Sequence, residues 1–204
     1  MGGVAFPEEQ ETNYYTLMLS LDIRLSKAQV MAIADHLHHD EGGIEAMLIQ
    51  MKQTDHPRVA YNAAWVLSHL SKEDKRIHLL PHYGELVALA TSTALCFRRG
   101  LLLAVLADFP TDEVNGKLLD FCLLHLTDPK ESDSARSAMI KLAARMCKPY
   151  PELCKELMLH LDMMPQDSSP SIAAAKRNAL KRIQKKMNKT IYTEYGTVEL
   201  VQKI

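Results

Sequence analysis

Residues 58–70 read RVAYNAAWVLSHL, with two adjacent alanines directly before the only tryptophan of the chain. At about 100° per residue on a helix, Val59, Ala63, Val66, Leu67 and Leu70 fall on one apolar stripe. Arg58, Tyr61, Trp65 and His69 fall on an adjacent stripe at i, i+3, i+4 spacing. The smallest and the largest side chains therefore belong to two faces of one helix. The alanine face admits close approach of neighbouring helices; the tryptophan face points elsewhere.

The neighbourhood of this stretch recurs along the chain. LIQMKQTDHP at 48–57, LLHLTDP at 123–129 and MLHLDMMP at 158–165 each close an amphipathic run with a polar residue between aliphatics and then a proline turn. LVALATST at 86–93 keeps the aliphatics and loses the proline. The equivalent positions Gln50, Ala88, His125 and His160 are spaced 38, 37 and 35 residues apart. After each turn a second apolar pattern follows: Val59, Leu67 and Leu70, then Leu95, Leu103 and Leu106, more loosely Ala138 and Leu142, then Ile172, Leu180 and Ile183. A period of this size with two helices per unit is the signature of stacked helical hairpins.

This pattern predicts irregular N-terminal helices at 8–20 and 27–39, a turn at Gly42 and Gly43, and helical hairpins over 43–71, 75–108, 112–147 and 150–187. Asp55, Asp74, Thr111, Asp112, Asp128 and 167–169 stand where N-caps are wanted. Pro57, Pro110, Pro129, Pro151 and Pro170 fall near boundaries, whereas Pro81 lies inside a helical pattern and is expected to kink or restart it. Residues 1–187 are read as a single repeat domain. The tail 188–204, with TIYTEYGTVELVQKI at 190–204, breaks the pattern and is read as extended, folding back on the last repeat or docking elsewhere.

The segment TDHPRVAYNAAWVLSHL, with an aspartate in the turn and then Val59, Ala63, Ala64, Leu67 and Leu70, resembles the HEAT and armadillo families of helical repeats. Ala60 stands where an arginine commonly follows the valine in those repeats, and Arg58 precedes it instead. The resemblance implies an all-α fold: a short right-handed α-solenoid of about four to five antiparallel helix hairpins. It also implies a non-catalytic protein-interaction or scaffold module that binds through the concave helix surface. The alternative it implies is a HEAT-fold nucleic-acid-binding or DNA-repair enzyme, similar to the alkylpurine DNA glycosylases.

Composition narrows the choice of function. Lys and Arg total 24 against 25 Asp and Glu, so the chain as a whole has no bias toward anionic partners, and any electrostatic role is local. Cys96, Cys122, Cys147 and Cys154 sit in apolar segments without a CxxC pair, as buried thiols of a reducing compartment do. Neither a secretory signal nor a membrane-length apolar run is evident, and GLLLAVLA at 100–107 is too short to span a bilayer; a cytoplasmic protein without membrane contact is expected. No GxSxG, P-loop, GxGxxG or kinase motif occurs, and MMPQDSSPS holds the letters of the fumarase and aspartase signature in the wrong order. No cofactor is expected.

Two patches are candidate partner-binding residues. One is Arg58, Tyr61, Trp65 and His69 on the first helix quoted. The other is Arg177, Lys181 and Lys185, stacked at i, i+4 on a last helix that has no acidic residue between Ser168 and Thr193. A protein is the expected partner, and the basic helix also admits nucleic acid; the oligomeric state is left open. HLHHDE at 36–41 offers His36, His39 and Asp40, or Asp35, His38 and His39, as metal ligands. Adjacent histidines at a helix end splay apart, so no metal site is assigned.

Overall fold

Short polar residues that satisfy free backbone N–H groups set where half of the described α-helices begin. The structure, a computed structural model, describes residues 21–53, 55–92, 98–109, 114–165 and 169–194, with side chains as far as Lys185. Among them every regular element is helical. The expected helix at 8–20 lies outside the described residues.

Helix α1 (Lys27–His36) opens on a reciprocal cap: Gln29 N donates to Ser26 Oγ at 3.3 Å and Ser26 N to Gln29 Oε1 at 2.9 Å. It ends three residues earlier than expected, because the chain turns left-handed at His39, φ 60°. Helix α2 (Glu41–Met51) is capped by Asp40, whose carboxylate accepts from Gly43 N at 3.1 Å. Gly42 and Gly43 thus lie in the first turn of α2, not in a turn before it. A side chain at Gly43 would collide with Leu37 and with the Asp40 carboxylate, which is why glycine stands there. Helix α3 (Pro57–His69) begins with Pro57 in its first turn, where a missing N–H does no harm.

Ser71 caps α4 (Lys72–Asp74), accepting from Asp74 N at 3.0 Å. The chain then passes through a wide π turn (Lys75–Leu79) and a tight 3₁₀ turn (Leu80–His82) into α5 (Tyr83–Ala90). Pro81 sits in the tight turn. Its ring excludes the α-helical hydrogen bond there, and the helix restarts two residues on, as expected. Helix α6 (Arg99–Asp108) follows. Asn115 and Ser132 cap α7 (Gly116–His125) and α8 (Asp133–Met146), and Pro151 opens α9 (Pro151–Asp162).

Several cap expectations are corrected: His56, not Asp55, stands at the N-cap of α3 without a side-chain hydrogen bond, and Asn115 caps α7, where Thr111 and Asp112, which lie outside the described residues, were expected. Ser71 and Ser132 hold the positions assigned to Asp74 and Asp128, because the hydroxyls stand at the first non-helical residue and the aspartates do not. Asp128 instead accepts from Lys130 N at 2.9 Å within the turn. The last helix, α10 (Pro170–Glu194), runs past residue 187, so 190–194 are helical and not extended. Residues 195–204 lie outside the described residues.

The helices gather into two compact units, Met1–Phe109 and Pro110–Ile204. In the first, α3 is the hub and packs against α1, α2 and α6, while α5 packs against α6. Ala60, Ala63 and Ala64 are buried at these contacts together with Val66 and Leu67. Asn62 is buried on the same helix, and its amide donates to the carbonyls of Leu21 at 2.8 Å and Ile23 at 2.9 Å. In the second unit α8 is the hub, against α7 and α10, with α9 against α10. Its core joins Leu118, Cys122 and Leu126 to Met139, Ile140 and Ala143, and to Ile172, Ala179 and Ile183. Ala143 and Ala144 of α8 are buried like Ala63 and Ala64 of α3.

Arginines finish several helix C-termini. Arg99 donates to Ala90 O at 3.0 Å and Ser92 O at 2.7 Å at the end of α5, and Arg136 to Leu126 O at 3.0 Å at the end of α7. Arg98 donates to Met51 O at the end of α2. These cations meet the negative end of a helix dipole and carbonyls that no turn of helix can use.

Replacing Ala64 by leucine is expected to lower stability by about 1–3 kcal/mol through overpacking. Ser137→Ala, which removes a buried hydroxyl without a partner among the described residues, is expected to leave stability unchanged or raised. Urea denaturation followed by circular dichroism checks both; equal losses in the two variants would contradict the packing described.

Candidate functional site

On α3 the residues opposite the densest packing form a continuous row. Tyr61 is 39% exposed and Trp65 is half-buried, with ring centroids 6.1 Å apart and planes at 58°. The His69 ring follows at 6.3 Å, edge-on to Trp65. Each pair has the tilted geometry that aromatic quadrupoles favour. His69 is held on its own helix, with Nδ1 3.1 Å from the Trp65 carbonyl and 3.1 Å from Ser68 Oγ. Arg58 reaches the Asp22 carbonyl at 3.1 Å, so its guanidinium ties α3 to the segment before α1. The four residues expected on one stripe are on one stripe, and two of them have structural partners.

Helix α10 buries Ile172, Ala175, Ala179 and Ile183 and exposes Arg177, Lys181 and Lys185. Between the two faces runs an open groove of about 450 Å³. Pro165, Ala173 and Leu180 give it an apolar lining, and Lys176, Arg177, Lys181 and Gln184 a polar one. The structure thus brings Arg177 and Lys181 to one groove, adds Lys176, and leaves Lys185 outside its lining.

A third cluster was legible in the sequence only in part: it offered His38 and His39 but not Asp74. The left-handed residue at His39 stacks the rings of His38 and His39 with centroids 3.7 Å apart. Both face Asp74, 36 and 35 residues away, whose side chain is 1% exposed. His38 Nδ1 lies 2.8 Å from Asp74 Oδ2, His39 N donates to Oδ1 at 3.2 Å, and His39 Nδ1 stands 3.6 Å from Oδ1. Ser71 Oγ donates to Oδ2 at 2.6 Å. Burial alone would push the Asp74 carboxyl up, but hydrogen bonds from Ser71, His38 and the His39 backbone hold it below the usual value. The hydrogen bond to Asp74 raises the His38 imidazole, against a smaller effect of burial and with help from the charges of Asp74, Glu73 and Asp35. The sequence offered Asp35 or Asp40 as the acidic partner; the fold supplies Asp74.

The described cysteines make no reactive site. Cys122 and Cys147 are buried free thiols, Cys154 is buried with its Sγ donating to Cys147 O at 3.2 Å, and burial pushes Cys122 and Cys147 up to about 12. Cys96 lies outside the described residues. His125 stacks on Phe121 at 4.3 Å and stands 3.7 Å from Asp128, an arrangement within its own helix end.

The HEAT repeat domain family matches residues 17–183, and the chain belongs to that family. No curated protein and no solved structure matches the chain. Among the described residues no helix is long and apolar enough to cross a membrane.

The His38–Asp74 pair has a pH signature. A raised imidazole contributes its stability fully below its ordinary 6.5 and loses it as pH rises through the raised value. A depressed carboxyl contributes fully above its ordinary 3.8 and loses it as pH falls through the lowered value. The gap in melting temperature between the native chain and His38→Gln is therefore expected to be widest between 3.8 and 6.5 and to narrow on both sides. A gap independent of pH would show that the pair carries no charge-dependent stability.

Proposed function

We propose that the chain is a non-catalytic interaction module that binds a segment of a partner protein, with the groove of α10 as the principal contact. The observation that carries this reading is the joint lining of that groove by Ala173 and Leu180 on one side of its chemistry and Lys176, Arg177 and Lys181 on the other. Apolar lining gives a partner side chain a place to leave water, at roughly 25 cal/mol per Å² buried. The cations favour carboxylates and speed encounter. Together they suit an acidic segment with one or two aliphatic or aromatic anchors.

The row on α3 is proposed as a further contact, with Tyr61 and Trp65 as the anchors and Arg58 and His69 as the residues that hold them in place. Exposed Tyr and half-buried Trp are the residue types that dominate interface energetics. Membership of the HEAT repeat family supports an interaction role, because helical repeats leave extended surfaces free once their apolar faces are stacked. That support is fold-level analogy. A cytoplasmic setting agrees with the buried free thiols. The nucleic-acid reading draws on the same basic helix, but phosphate backbones call for an open basic strip, and here acidic and basic residues balance over the chain.

The test uses the full chain with three fluorescent probes: an acidic peptide with leucine anchors, its basic counterpart, and a short DNA duplex. Only the acidic peptide is expected to bind, more weakly as salt rises. Arg177→Glu combined with Lys181→Glu is expected to weaken it by about tenfold or more, about 1.4 kcal/mol, with helicity retained. Preferential binding of the duplex, or peptide binding unchanged by the double reversal, would overturn the assignment to this groove.

A further inference from the structure

The geometry points to a divalent metal site, of the kind zinc occupies, formed by His38, His39 and Asp74. One donor atom from each residue lies within 4.8 Å of the others. Donor atoms around a zinc ion bound at about 2.0–2.2 Å stand roughly 3.3 Å apart, so donors as far apart as 4.8 Å need to draw in by about 1.5 Å. The side chains that must move are the exposed ones: His38 and His39 are 49% and 59% exposed, whereas Asp74 is 1% exposed.

Three features set this cluster apart from a chance meeting of polar side chains. Adjacent residues of a continuing helix project about 100° apart and cannot share an ion. Here the left-handed backbone at His39 cancels that divergence and stacks the two rings at 3.7 Å. A helix end that needs only a left-handed residue ordinarily takes glycine or asparagine, and this chain places a second imidazole there. The carboxylate is also already oriented: Ser71 Oγ donates to Oδ2 at 2.6 Å and His39 N to Oδ1 at 3.2 Å. Outer hydrogen bonds of this kind fix the ligands of protein metal sites.

Two imidazole nitrogens and one carboxylate oxygen suit zinc and the neighbouring first-row cations rather than calcium or magnesium, which prefer all-oxygen sets. Three protein ligands leave a fourth position open to water from the exposed side. The ion would join the turn after α1 to α4, two segments that His38 and His39 already link through their contacts with Asp74. It would act as a clamp within the first unit, independently of the α10 groove.

The experiment is titration of the untagged, chelator-treated full chain with zinc chloride by calorimetry, alongside cobalt(II) absorption spectra and thermal melts. One equivalent of zinc is expected to bind and to raise the melting temperature. Cobalt is expected to give weak visible bands without the strong near-ultraviolet absorption of thiolate ligation. His39→Asn removes the imidazole while tolerating a left-handed backbone, and it is expected to weaken zinc binding by about tenfold or more. His39→Gly serves the same purpose if the asparagine variant folds poorly, and the cobalt spectrum of the native chain depends on neither. The inference is overturned if zinc does not bind, if the folded His39 variants bind it as well as the native chain, or if the cobalt spectrum reports thiolate ligands.

Discussion

Close approach of helices around α3 is the constraint from which the first unit follows. Three alanines on that helix, at 60, 63 and 64, are almost wholly buried, so the neighbouring backbones come near enough to exclude water without large side chains between them. Close-packed interiors tolerate little change of volume, and α1, α2 and α6 all meet this one helix. Asn62 belongs to the same constraint. Buried among apolar neighbours, it can persist only because both amide hydrogens find carbonyls, those of Leu21 and Ile23. In the second unit α8 repeats the arrangement with Ala143 and Ala144. A helix packed on several sides has one free strip left, and on α3 that strip is Tyr61, Trp65 and His69.

Helix ends are stabilised here by cations reaching carbonyls. Arg99 and Arg136 each serve the C-terminus of the helix preceding their own, and Arg98 serves that of α2. Lys75 extends the device, with Nζ 2.7 Å from Ser68 O and 2.6 Å from Asp108 Oδ2, in a position almost closed to solvent. The departure at Ala60 from the usual arginine of HEAT repeats thus has a structural counterpart. Arg58 sends its guanidinium to a backbone carbonyl, that of Asp22. A guanidinium with several donors in a fixed fork suits this task, since carbonyls at a helix end stand close together.

The irregular segments carry the chemistry that regular repeats do not. Pro81 forces the π and 3₁₀ turns after Asp74, and the short α4 before them presents the Asp74 carboxylate to the turn after α1. The left-handed His39 completes the meeting from the other side. Each irregularity is a local backbone event, yet the cluster exists only because both occur where the segments touch.

The repeat period, the amphipathic stripes and the alanine pairs were legible in the sequence, because periodicity of side chains along a helix is written residue by residue. So were the stripe of Arg58, Tyr61, Trp65 and His69 and the restart at Pro81, since a missing N–H acts within one turn. Helix starts were less legible: serine and aspartate both cap, and only the backbone decides whether Ser71 or Asp74 stands at the boundary. The groove beside α10 and the company of Asp74 were not legible at all. Pro165 meets Leu180, and His38 meets Asp74, across separations that no local pattern encodes. The sequence by itself determined which face of each helix is apolar, because that depends on spacing alone. Tertiary structure decided which polar groups converge, because convergence depends on where the packed helices bring their ends.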